Sequence, residues 1–298
     1  MKKILFFSSV CKPKGILEIT LNSYMKLERK NFEIDFLFYD DNKEENAKDY
    51  LNDFCQKQSN CSLMSPIHMS PSDYQDHNWN PSRIDRIITI KNNAIHHALE
   101  NKYDYLFLVD ADLVLHPSTL VHLVQQKKDF VFTIFWTLFF GELYHKPNAW
   151  DLHSWAYKGP ETLLKLRGKG IYEVGGGGAC TLLSAEILEK GLNFNRLLSL
   201  PYQGEDRHFC TRAQALGYDV IADSNYPAYH VFMESQCDEA KNWYENGANP
   251  DFFKEWLNEE WKSQVIKSFE NKDINMLYKI KRFQYEIRKS FKRIFIHD

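Results

Sequence analysis

The sequence predicts an α/β protein, with a mostly parallel central sheet, helices on both of its sides and a helical C-terminal extension. Three observations carry this. Short apolar, strand-like runs alternate with helical patterns from the N-terminus onward, as βαβ units require. One run, Tyr105-Leu-Phe-Leu-Val109, is continuously apolar, the pattern of a strand covered on both faces. At 298 residues the chain holds one large domain, or one such domain with a small appendage.

Ile4 to Val10 and Glu33 to Tyr39 read as strands around a helix at about 15 to 29, a β-α-β start. A polar stretch from 40 to 60 follows, then a third strand at Leu63 to Met69 and a proline-bearing loop. Ser82 is expected to cap a helix over 83–100, where Ile84, Ile87, Ile88, Ala94, Ile95, Ala98 and Leu99 recur at helical spacing. The apolar strand 105–109 ends in Asp110-Ala-Asp112, a helical pattern resumes over 113–126, and Asp129 to Trp136 reads as another strand. Periodicity fails from 139 to 170, an aromatic loop or insertion. Strand, glycine turn and strand follow over 171–184, then a helix over 205–216 ended by Gly217 and a short strand over 219–222. The domain boundary is expected near 235, with residues 236–298 as the helical, finally basic extension.

The chain is 44% hydrophobic and 26% charged, which excludes a collagen-like, low-complexity or wholly disordered protein. The formal charge of −3 hides an asymmetry, because residues 279–293 hold seven Lys/Arg against Glu286 alone. The remainder is near −9 and makes a poor general nucleic-acid binder, so no nucleic-acid partner is expected. The six cysteines never form a C-x-x-C pair, which argues against a zinc ribbon or a thioredoxin-type site and for reduced thiols in a cytoplasmic protein. Met1 to Cys11 imitates a signal peptide, but its apolar run is short and Val10 is bulky where cleavage needs a small residue, so a buried first strand explains it better.

Asp110 and Asp112, spaced i, i+2 at the end of a buried strand, point to the side on which α/β proteins bind ligands. Two hard oxygen donors there suit Mg²⁺ or Mn²⁺ bridging a diphosphate. Arg83 and Arg86, three apart in the first turn of a helix, form an anion site for nucleotide phosphates or for a carboxylate inside the protein. Lys91 and Asn92 lie further along the same helix. Four glycines at 175–178, Gly176 and Gly177 central among them, exceed what a turn requires and suggest close backbone approach to a ligand. Glu205 and Asp206 start a helix, and either could take a proton from an attacking hydroxyl. His230 is the candidate third ligand beside Asp112. Asp40 or Asp41, after the second strand, is placed to contact a nucleoside.

Taken in order, Leu108-Val-Asp110-Ala-Asp112, Gly175 to Gly178 with Ala179 to Ser184, Gly204-Glu205-Asp206 with Gly217-Tyr218, and His230 resemble the metal-dependent glycosyltransferases of GT-A fold, the family 2 type above all. The resemblance spans residues 1–235. It implies a nucleotide-sugar donor, Mn²⁺ or Mg²⁺ on Asp112 and His230, and Asp110 on ribose or metal-bound water. It also implies Asp206 as the base of an inverting transfer, and Glu205 holding a saccharide or lipid-linked acceptor or sharing the base role. The helix with Arg83, Arg86, Lys91 and Asn92 looks like its counterpart in Anp1-type mannosyltransferases, which are retaining, so the stereochemistry stays open. The first strand lacks the usual family 2 signature and no Q-x-x-R-W occurs, which disfavours a processive synthase. Two alternatives stand beside this: a haloacid-dehalogenase-like phosphatase with Asp110 as nucleophile, and a non-catalytic nucleotide-binding scaffold. Within 279–293 an apolar stripe flanked by cations is expected to lie on the anionic inner face of a membrane, or to pack on the protein or in a homodimer contact.

Overall fold

A computed structural model describes residues 1–65, 81–139, 141–154, 156–201 and 204–270. Its centre follows from the first strand, β1 (Lys2–Val10), whose side chains alternate between two apolar layers. Leu5 and Phe7 face one, Ile4 and Phe6 the other. After α1 (Lys14–Met25), β2 (Phe32–Asp40) pairs with β1 in parallel. The polar stretch that follows contains a helix the sequence reading left out, α2 (Glu45–Gln56). Its buried Ala47, Leu51 and Cys55 recur every four residues, a narrow stripe among polar neighbours. The third strand is shorter than expected, β3 (Cys61–Leu63), and residues 66–69 of that expectation lie outside the described residues.

Helix α3 (Pro81–Glu100) begins at its proline, so Ser82 sits inside the first turn rather than capping it. Proline suits that position because its fixed φ is helical and its missing N–H would be unpaired there anyway. β4 (Tyr105–Val109) lies beside β1 in parallel. The expected helix over 113–126 divides into a two-residue strand, β5 (Leu113–Val114), and α4 (Thr119–Gln125). β6 (Phe130–Thr137) leads into the aromatic insertion, which holds two short strands, β7 (Lys146–Pro147) and β8 (Ala149–Trp150), and α5 (Glu161–Leu166).

Beyond β9 (Ile171–Glu173) the glycine run is not a turn: Gly176–Gly177 form β10, paired antiparallel with β8. β11 (Cys180–Ser184) enters the sheet antiparallel between β4 and β6, followed by α6 (Ala185–Glu189) and α7 (Glu205–Ala215). The last strand, β12 (Ile221–His230), runs ten residues instead of the expected four. Its register against β6 shifts between Asp223 and Ala228, where Asp223 Oδ1 accepts from the backbone N–H and side-chain amide of Asn225. That local Asx geometry reads as a turn in sequence yet only bends the strand.

The main sheet order is β3-β2-β1-β4-β11-β6-β12-β5, parallel except at β11 and the short β5, with β7 and β9 at its margins. Helices α1, α2 and α4 cover one face, and α3, α6 and α7 the other. The C-terminal helices α8 (Cys237–Glu245), α9 (Phe253–Trp256) and α10 (Glu259–Glu270), expected as an extension, share the apolar layer of Leu5, Phe7 and α3. Tyr229, on β12, is ringed by Trp243, Phe252, Phe253 and Trp256. Trp261 meets Trp136 edge-on at 5.6 Å, and its Nε1–H donates to the His145 carbonyl at 2.9 Å. No helix among the described residues is long and apolar enough to cross a membrane, and the basic segment 279–293 lies outside them.

If α8 to α10 and the sheet form one cooperative unit, Trp261→Ala should cost about 3–5 kcal/mol and lower a single unfolding transition. Thermal melts followed by both far-UV circular dichroism and tryptophan fluorescence check this. An early, separate transition would make the C-terminal helices an independent unit.

Candidate functional site

The ends of β1, β4, β6 and β12 meet at one crevice at the carboxyl edge of the sheet. β4 stops at Val109, and the Asp110 N–H donates to the Ala179 carbonyl at 2.7 Å, carrying the pairing with β11 one residue further. The Leu113 N–H and the Tyr24 hydroxyl both donate to the Asp110 carbonyl, at 3.2 and 3.0 Å, which pins the turn 110–112. β5 then places Leu113 opposite His230 on β12, and the Val231 N–H donates to the Asp112 carbonyl at 2.8 Å. This pairing brings two residues 118 positions apart together: His230 Nε2 lies 3.3 Å from Asp112 Oδ2. The Thr137 hydroxyl pairs with His230 Nδ1 at 2.6 Å, leaving Nε2 to face the carboxylate.

A third group meets them. Lys12, two residues past the end of β1, sets its ammonium 2.5 Å from the same Asp112 Oδ2. Burial works against a charged Asp112, but Lys12 and His230 outweigh it and hold the carboxyl far below the usual carboxylate range. Among the described residues no three His, Cys, Asp or Glu surround one point as a cation cage. The structure thus unites Asp112 and His230 of the expected ligands, while Asp110 does not complete a cage with them. A carboxylate oxygen and an imidazole nitrogen on one point still fit an open divalent site whose other positions go to water or substrate oxygens. That mixed set suits Mn²⁺ better than the oxygen-demanding Mg²⁺.

The opposite wall is the start of α7. Gly204, at φ +138°, turns the chain into the helix, and Glu205 and Asp206 fill its first turn. They do different things. Glu205 is buried and accepts from Lys91 Nζ at 2.8 Å, whereas the Asp206 side chain is about 37% exposed and lies 3.5 Å from the same ammonium. The Asp206 carboxylate abuts Gly178, where a Cβ would come within 2.8 Å of it. Desolvation in the crevice and the charge of Glu205 raise Asp206 to about 6 against the pull of Lys91. Asp110 is raised to about 7 by desolvation, with Asp112, Asp206 and Glu205 adding to it and Lys91 opposing. Lys91 is in turn held protonated: Asp206 and Glu205 overcome the desolvation that would discharge it.

Several expected donor contacts are corrected by these placements. Arg86 reaches the carboxylate inside the protein that its spacing also allowed, donating through Nε and Nη2 to Asp41 at 2.5–3.2 Å and through Nη2 to the Tyr39 hydroxyl at 3.2 Å. Asp41 is buried and the Arg86 side chain only about 11% exposed, so removing the arginine would leave a buried carboxylate uncompensated, at a cost of about 3–5 kcal/mol. Lys91 serves Glu205 and Asp206 rather than standing open for a phosphate. A Cβ at Gly176 would strike the Trp150 ring and one at Gly177 the Phe132 ring, each at 2.1 Å, so their missing side chains make room for protein. Asp40 accepts from the backbone and side chain of Asn42, and Arg83 sits in the first turn of α3 within electrostatic reach of Cys11. Asn92 anchors the chain before α7 through Phe194 and Asn195.

Sequence reasoning missed Lys12 and Thr137 as members of the site. For Lys12 a signal existed, since it follows a parallel strand adjacent to the one that ends in Asp110, and so opens onto the same edge.

Residues 36–139 match the model of the glycosyltransferase family 25 N-terminal domain, about a third of the chain. No curated protein matches by sequence. Among solved structures, GalNAc-T7 with UDP, GalNAc and Mn²⁺ is 12% identical with a TM-score of 0.50, covering 77% of this chain and 44% of that one. Mannosyltransferase PcManGT from Pyrobaculum calidifontis, in complex with GDP-Man and Mn²⁺, is 12% identical with a TM-score of 0.49, covering 76% of this chain and 56% of that one. A197 from STIV is 16% identical with a TM-score of 0.43, covering 78% and 87% respectively. The chain thus spans about half the length of the first two. By its fold, and by the family 25 match across residues 36–139, the chain fits the GT-A glycosyltransferases.

Proposed function

We propose that the protein transfers a glycosyl group from a nucleotide-sugar donor to a hydroxyl of a saccharide or lipid-linked acceptor, with inversion at the anomeric carbon. The observation that carries this reading is the division of one crevice into two walls. On one, Asp112 and His230 converge on a single point beside Asp110. On the other, Asp206 stands open to the crevice while Glu205 is locked to Lys91. The family 25 match and the GT-A fold support the same class of reaction.

In this reading Asp112 and His230 hold Mn²⁺, which when bound supplies positive charge against the departing nucleoside diphosphate. Asp110 faces the ribose side of the donor. Asp206 Oδ takes the proton of the acceptor hydroxyl as the hydroxyl oxygen attacks the anomeric carbon and the bond to the diphosphate oxygen breaks. Its raised pKa makes it a stronger base than an ordinary aspartate. Lys91 and Glu205 hold the start of α7 so that this carboxylate points across the crevice, a positioning role consistent with their burial.

The test is transfer from UDP-, GDP- and dTDP-sugars to simple hydroxyl acceptors with and without Mn²⁺, reading nucleoside diphosphate release, with CMP-sugars read by release of CMP. Asp206→Asn should lower kcat by about 10²–10⁴-fold while a Mn²⁺-dependent thermal shift by the donor survives. Asp112→Asn should abolish that shift. Undiminished turnover in Asp206→Asn would remove this residue as the base.

The pH dependence follows from the sign of the Asp206 shift. A base must be ionised, and desolvation in the crevice together with the Glu205 charge raises the pH at which this one ionises, so activity should fall as pH drops through about 6. A pH profile of kcat/KM should carry that acidic limb, and Asp206→Asn should flatten the residual rate across it. Persistence of the limb in the variant would assign it to another group.

A further inference from the structure

The ammonium of Lys12 and any cation held by Asp112 and His230 claim the same oxygen, Asp112 Oδ2. The backbone N–H of Lys12 donates to Asn42 Oδ1 at 2.9 Å, and Asn42 is tied in turn to Asp40, so the loop after β1 is anchored by its backbone, independently of the Lys12 ammonium. The Lys12 side chain keeps about a quarter of its exposure, which leaves it a path into the crevice. Two cations on one carboxylate oxygen in a desolvated site repel each other strongly. A diphosphate arriving beside them offers the ammonium a new partner.

We infer that Lys12 is the resting counter-ion of Asp112 and moves onto the diphosphate of the donor when metal and donor bind together. The inference rests on the metal-dependent reading of the crevice. It makes the two binding events mutually dependent. Metal alone must evict the lysine and binds weakly, whereas metal with a diphosphate gives the displaced ammonium a destination and binds tightly. By reciprocity the diphosphate binds more tightly with metal present. Lys12 would thus tie occupancy of the metal site to arrival of the donor.

Calorimetric titration of the full chain with Mn²⁺, with and without inorganic pyrophosphate, tests this in wild type, Lys12→Met and Lys12→Arg. Lys12→Met removes the competing charge and should bind Mn²⁺ alone about 10-fold more tightly, while losing most of the enhancement by pyrophosphate. Lys12→Arg keeps the charge and should bind Mn²⁺ alone as weakly as wild type, which separates the charge from any effect of altered packing. Equal Mn²⁺ affinity in wild type and Lys12→Met would overturn the inference and leave the metal site standing. No Mn²⁺ binding to any of the three, with or without pyrophosphate, would overturn the metal-dependent reading itself, and with it the exchange of Lys12.

Discussion

Carboxylates that share a desolvated crevice repel one another, and the arrangement of this protein depends on how that repulsion is managed. Asp112, Asp206 and Glu205 all act on Asp110, and Glu205 acts on Asp206. Two lysines make this tolerable, Lys12 against Asp112 and Lys91 against Glu205 and Asp206. The pairing is uneven, and the unevenness produces chemically distinct groups from one residue type. Asp112, with an ammonium and an imidazole on one oxygen, is firmly anionic. Asp110 and Asp206, less well compensated, are pushed towards neutrality. A metal ligand must be anionic and a general base must be able to accept a proton, so Asp112 and Asp206 are suited to different tasks.

The backbone that holds these charges is built from pairing at the sheet edge. β11 runs antiparallel beside β4, which brings Ala179 against Asp110 and Gly178 against Asp206. The two-residue strand β5 folds back on the end of β12 and sets His230 beside Asp112. Tyr229, the neighbour of His230, is enclosed by aromatic side chains of the C-terminal helices, so residues after 236 help to place a residue at the crevice. Burial of large aromatic rings is an efficient way to fix a strand end, because each ring covers much area at little rotamer cost.

Much of the sheet could be read from local pattern. The continuous apolar runs 4–7 and 105–109 and the 3.6-residue spacing in α3 express burial on two faces or along one stripe, and each is a property of a few consecutive residues. The errors have local causes too. The buried stripe of α2 is only one residue wide, and within β12 Asp223-Ser-Asn-Tyr-Pro227 has the composition of a turn, so neither element announces itself locally. Gly176 and Gly177 signal a close approach without saying what approaches. Here it is the rings of Trp150 and Phe132.

The sequence by itself determined the class of the fold, the strand that ends in Asp110 and Asp112, and the inventory of charged residues available at that edge. Only the tertiary structure decided which charges meet. Arg86 finds Asp41 across 45 residues, Lys91 finds Glu205 across 114, and Lys12 finds Asp112 across 100. Secondary structure follows from hydrogen bonds and burial within a short window, so its pattern repeats along the chain. An ion pair leaves no such period, because its partners are chosen by strand order and register, and those exist only once the sheet has formed.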